Sequence, residues 1–101
     1  MPPICKDQFG IYYLYVTEEF DAACKKAGDE FRRFQDVYGR MRELIADDPT
    51  QGGSFKERDI CVFVTDSDPA YNLPGMRISY IFGKQPNGEN RLVLVDLDVF
   101  K

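Results

Sequence analysis

Apolar residues along this chain switch between a spacing of two and a spacing of three to four, and the switches mark its elements. Residues 9–16 are rich in aromatic and branched side chains and read as a strand. Alternation places Tyr12, Leu14 and Val16 on one face and Tyr13 and Tyr15 on the other, so both faces are apolar and the second needs a cover. Thr17 can cap a helix that opens with Glu18 and Glu19 and places Phe20, Ala23, Cys24 and Ala27 at helical spacing. Gly28 marks a break, and Asp29 is placed to cap a second helix. Its stripe is Phe31, Phe34, Tyr38, Met41 and Ile45, and it stops at Asp47-Asp48-Pro49 because proline disfavours the helical conformation of the residue before it. Residues 50–54 form a loop. Residues 60–65 are a second strand, 66–75 an irregular connection, and two further apolar runs flank the polar turn Pro86-Asn87-Gly88 as a closing hairpin.

The order strand, helix, helix, strand, strand, strand predicts an α+β two-layer fold, β-α-α-β-β-β, with the two helices on one face of a mainly antiparallel sheet. No repeat, linker or low-complexity tract divides residues 1–101, so a single domain is expected. In the hairpin, Ile78, Tyr80 and Phe82 share a face opposite Arg77 and Ser79. On the last strand Val93, Val95, Leu97 and Val99 share a face opposite Asp96 and Asp98. Matching the apolar faces sets Phe82 against Val93, Tyr80 against Val95, Ser79 against Asp96 and Arg77 against Asp98. Arg77 is thereby expected to be ion-paired across the strands.

Composition narrows the chemistry. The chain has no histidine, which removes His-based acid–base and nucleophile systems and most zinc sites. Three cysteines, Cys5, Cys24 and Cys61, at unrelated spacings read as free thiols of a reduced compartment, with Cys24 and Cys61 filling the core. The net charge of −4 is opposite to the basic balance of most nucleic-acid binders. No apolar run is long enough to span a bilayer, and the N-terminus lacks a signal-peptide layout; a cytoplasmic location without membrane contact is expected. Asp66 with Asp68, and Asp96 with Asp98, lack the further ligands a metal site needs, so neither a metal nor another cofactor is expected.

The helical pair ending in Asp48-Pro49-Thr50-Gln51-Gly52-Gly53, the strand Gly75-Met76-Arg77-Ile78-Ser79-Tyr80-Ile81-Phe82, and Arg91-Leu92-Val93-Leu94-Val95 followed by Asp98-Val99-Phe100-Lys101 resemble motifs of the RelE/ParE superfamily of bacterial toxins, in particular its HigB-like, phage-associated branch. That resemblance implies a growth-inhibiting partner of a toxin–antitoxin system, acting either as a ribosome-dependent mRNA endonuclease or on DNA gyrase, and held inactive by an antitoxin. In a nuclease of this kind Arg77 would stabilise the phosphate in the transition state and Lys101 would match the basic end of the last strand. The lysines of the preceding strand fall near Cys61–Val64, where this chain has none; Lys56 and Arg58, just upstream, are the available substitutes. The family's late basic and tyrosine residues and its C-terminal helix have no counterpart. The full catalytic set is therefore not expected, and ribosome or RNA action is disfavoured.

A second reading is a non-catalytic acidic interaction module, or an inhibitor from a phage or mobile element. Both readings call for a protein partner, either an antitoxin-like chain or a second copy. The residues expected to meet it are Tyr13 and Tyr15 on the doubly apolar strand and Tyr71 in the long connection.

Overall fold

The N-terminal segment folds as a hairpin, one strand more than the pattern of apolar residues announces. The computed structural model describes residues 3–51, 53–55, 60–68, 70 and 73–100. Its elements are β1 (Ile4–Phe9), β2 (Tyr12–Val16), α1 (Glu18–Glu30), α2 (Phe34–Asp47), a 3-10 turn (Pro49–Gln51), β3 (Gly53–Phe55), β4 (Ile60–Thr65), β5 (Gly75–Lys84) and β6 (Asn90–Phe100). Gly10, at φ +59°, makes the turn that ends β1 after Phe9, so the expected single strand over 9–16 begins only at Tyr12. Ile4–Gln8 of β1 are exposed and carry no apolar alternation, which is why the pattern does not announce them. A short β3 replaces the end of the expected loop. The observed order is β-β-α-α-β-β-β-β and not the β-α-α-β-β-β read from the sequence, while the α+β class with helices packed on a sheet stands.

The six strands form one sheet in the order β1-β2-β6-β5-β4-β3. All neighbours are antiparallel except β2 and β6, which run parallel with Tyr13 beside Arg91 and Tyr15 beside Val93. The helices cover one face. Phe20 and Ala27 from α1, and Phe34, Tyr38, Met41 and Ile45 from α2, join Leu14, Val16, Cys61, Met76, Ile78, Tyr80, Leu92, Leu94 and Leu97 in one core cluster. The predicted stripe of α2 is thus its buried face, with Phe31 packing at its edge. Full burial of each large apolar side chain contributes about 1.5–3 kcal/mol, which is what holds the two layers together.

Two local expectations are corrected, and a third, the stop of α2 at Asp47-Asp48-Pro49, holds with added detail. First, α1 runs through Gly28 to Glu30, and α2 begins at Phe34 with Arg33 at its N-cap rather than Asp29. The chain turns at Phe31, whose N–H donates to the Ala27 carbonyl at 2.8 Å. Second, β6 carries a bulge. Ser79 pairs with Asp96, but Tyr80 pairs with Leu94, leaving Val95 as the extra residue. The face that packs on the helices is therefore Leu92 and Leu94 before the bulge and Leu97 and Val99 after it, not Val93, Val95, Leu97 and Val99. Tyr80 meets Leu94 and Phe82 meets Leu92, each one residue from the expected partner, while Arg77–Asp98 and Ser79–Asp96 pair as read. Third, Asp48 is more than a stop: its carboxylate accepts from the Thr50 N–H at 3.1 Å and from the Thr50 hydroxyl, and so starts the 3-10 turn.

No helix among the described residues is long and apolar enough to cross a membrane.

Candidate functional site: the open face of the sheet

Among the described residues no helix covers the face of the sheet turned away from α1 and α2, and alternation assigns its residues. Across the central strands, one row is Tyr15, Val93 and Ile81; the next beyond the bulge is Asp96, Ser79 and Val62; the last is Asp98, Arg77 and Val64. Tyr13 and Arg91 stand at the opposite end. Tyr13, Ile81 and Val64 are exposed, and Val93 is buried. The face thus has an apolar centre with charge at both ends.

Arg77 lies on this face, paired with Asp98, and both side chains are more than half exposed. Asp96 is the next residue of β6 on the same face, one row from Arg77. The negative charges of Asp98, paired with the guanidinium, and of Asp96, one row away, repel a phosphate, the very ligand that a nuclease arginine needs. Two clefts lined by described residues lie elsewhere: one between the β1–β2 turn and the end of α2, the other between α1, α2 and β1. Lys56, Arg58, Lys101 and Tyr71 lie outside the described residues. Among the described residues no group of three or more potential metal ligands comes together.

Tyr15 is held in place by residues that sequence reasoning did not single out. Its hydroxyl donates to Glu89 Oε1 at 2.8 Å, and the Arg91 guanidinium stacks 4.4 Å from its ring centroid while donating from Nε to the same Glu89 oxygen at 3.2 Å. The hydrogen bond to Glu89 raises the Tyr15 pKa above the usual phenol value, with desolvation adding to it and Arg91 opposing. This cluster fixes one end of the open face. It depends on the parallel pairing of β2 with β6, which has no short-range signature in the chain.

Searches of protein-family models, curated proteins and solved structures returned no match to this chain. The fold and face define an α+β domain with a half-covered sheet.

Proposed function

We propose that this protein is a non-catalytic, protein-binding domain that uses the open face of its sheet to engage a partner. The observation that carries this reading is the run Tyr15–Val93–Ile81 between the Tyr13–Arg91 and Arg77–Asp98 ends. An apolar centre rimmed by charge is the composition of a recognition surface. Arg77, paired with Asp98 and next to Asp96, serves as part of the rim rather than as a transition-state donor.

The subset β2-α1-α2-β4-β5-β6 of the element order favours a setting in a toxin–antitoxin pair, with the chain as a divergent RelE/ParE-like member that lacks nuclease action and an antitoxin as the partner. Its growth-inhibiting target in this setting is translation or gyrase. Induced expression in bacteria with and without the adjacent gene tests that setting: growth arrest relieved by the neighbour supports it, and unimpaired growth removes it. The binding face is tested apart from the setting, by titrating the purified neighbour product into wild type and Ile81→Asp. Ile81 is exposed, so the variant is expected to fold and to bind at least tenfold more weakly, equivalent to about 1.4 kcal/mol. Unchanged affinity would show that the face is not the contact.

A further inference from the structure

On the helix side a second feature stands apart from the open face. The cleft between β1, α1 and α2 has a volume of about 310 Å³ and is lined by Lys6, Asp21, Lys25, Gln35, Tyr38 and Arg42, with Cys24 on its wall and Val16 and Phe20 at its floor. Three cations and one carboxylate share it, a local surplus of positive charge in a chain whose net charge is −4. Asp21 is engaged by both lysines, at 3.6 Å from Lys6 and 3.5 Å from Lys25. Arg42 has no carboxylate partner among the described residues. Its guanidinium lies 4.6 Å from the centroid of the Tyr38 ring, and its Nε–H is buried with no hydrogen-bond acceptor.

A buried N–H of a charged group left without an acceptor is costly, so a ligand oxygen admitted beside it is favoured. The backbone supports the same conclusion. Between Cys5 and Asp7 the β1–β2 register slips by one residue, making Lys6 the extra residue of a bulge, and its ammonium reaches α1 at Asp21. Bulges on edge strands re-aim side chains, and here the re-aimed side chain lines the cleft.

We infer that this cleft binds a phosphate monoester group. The Arg42 guanidinium, which lines the cleft, supplies N–H donors to the phosphate oxygens, and Lys6 and Lys25 complete the charge. The surplus of two positive charges over Asp21 matches a phosphate dianion better than a monocarboxylate. Tyr38 presents the ring on which Arg42 rests, so the guanidinium plane is held before the ligand arrives. The cleft volume is at the small end of ligand pockets and accepts the phosphoryl group with a compact organic body.

The test is titration of the full chain with inorganic phosphate and, separately, with adenosine monophosphate, followed by the Arg side-chain Nε–H resonances and, in every variant, the backbone N–H resonances of the cleft residues in nitrogen–proton spectra. Saturable movement of the Arg42 Nε–H signal with either probe supports the inference. Response to both assigns the phosphoryl group alone, and response to the nucleotide only assigns the ester with its organic body. Lys25→Gln, at a largely exposed position, and Arg42→Lys, which keeps the charge and removes the fork, should each retain the native spectrum. The first is expected to weaken binding several-fold and the second at least tenfold. No saturable shift with either probe, or equal affinity in Arg42→Lys, overturns the inference.

Discussion

The Thr17 hydroxyl donates to the Val95 carbonyl at 2.9 Å, so the cap of the first helix and the bulge of the last strand are a single feature. The same oxygen accepts the Phe20 N–H at 3.1 Å, and the Thr17 N–H donates to the Leu94 carbonyl at 3.1 Å. One residue thereby starts α1 and attaches it to β6 where the ladder is interrupted. The extra residue Val95 has the consequence that Leu92, Leu94 and Leu97 all reach the core while Asp96 and Asp98 stay on the open face. Without the bulge, the residues before and after it would be out of phase by one.

Thr17→Ala is therefore expected to lower the unfolding free energy by about 1–2 kcal/mol, the upper part of the range for loss of an N-cap. Thr17→Ser, which keeps the hydroxyl, should recover most of it. Urea denaturation of the three proteins measures this; equal midpoints for Thr17→Ala and wild type would refute the linkage.

Tyr80 is fully buried and its hydroxyl donates to the Pro49 carbonyl, tying β5 to the turn that follows α2. Tyr80→Phe keeps the ring and removes the donor. A loss of about 1–3 kcal/mol is expected, because a buried carbonyl loses a partner. Thermal unfolding followed by circular dichroism reads it.

Gly75 is buried at the start of β5, where an added Cβ would lie 2.3 Å from the Phe100 ring and 2.8 Å from the Ser67 backbone nitrogen. The ring can move but the backbone yields little, so Gly75→Ala should destabilise by about 1–3 kcal/mol through overpacking. Pairing Gly75→Ala with Phe100→Ala is expected to recover only part of this, since the backbone contact remains.

The Arg77–Asp98 pair is exposed on both sides, and a double-mutant cycle with Arg77→Ala and Asp98→Ala should return a coupling of only about 0–1 kcal/mol. Neither Asp96→Ala nor Asp98→Ala, nor both together, should produce RNA cleavage. Cleavage that appears in the double variant, and disappears again with Arg77→Ala, would restore Arg77 as a nuclease residue.

Desolvation of the half-buried Cys24 thiol raises its pKa to about 11, with Asp21 adding to the rise and hydrogen bonding to Tyr38 and the charge of Arg42 opposing. Tyr38 is also raised, mainly by burial. For Cys24 the folded state holds its proton more tightly than the unfolded chain. Its contribution to stability is thus complete below the unfolded thiol value and is lost as pH rises from about 9 towards 11. The melting temperature should fall over that interval, and less so in Cys24→Ala. At pH 8 iodoacetamide should label exposed Cys5 well before Cys24 or buried Cys61, as read by peptide mass.

Sequence reasoning reached the helical stripe of α2, the Thr17 cap, the β4 limits and the Arg77–Asp98 register because each is written in local spacing. The amphipathic period, a capping hydroxyl and the polar turn between two apolar runs are properties of neighbouring residues. It did not reach β1, whose exposed edge residues have no apolar alternation, nor the Val95 bulge, whose signal is a hydrogen bond from a residue 78 positions away. The open-face residues Tyr13 and Tyr15 were legible as a doubly apolar strand, whereas Glu89 and Arg91 became their neighbours only through the parallel pairing of β2 and β6.

By itself the chain determined the class, two amphipathic helices over a sheet, since burying the apolar faces leaves few other solutions. Tertiary structure alone decided which strand lies beside which, where β6 gains a residue, and that Lys6, Lys25 and Arg42 from three separate elements share a cleft. Those outcomes depend on contacts between distant parts of the chain, where the free energy of packing chooses among arrangements that local pattern leaves equal.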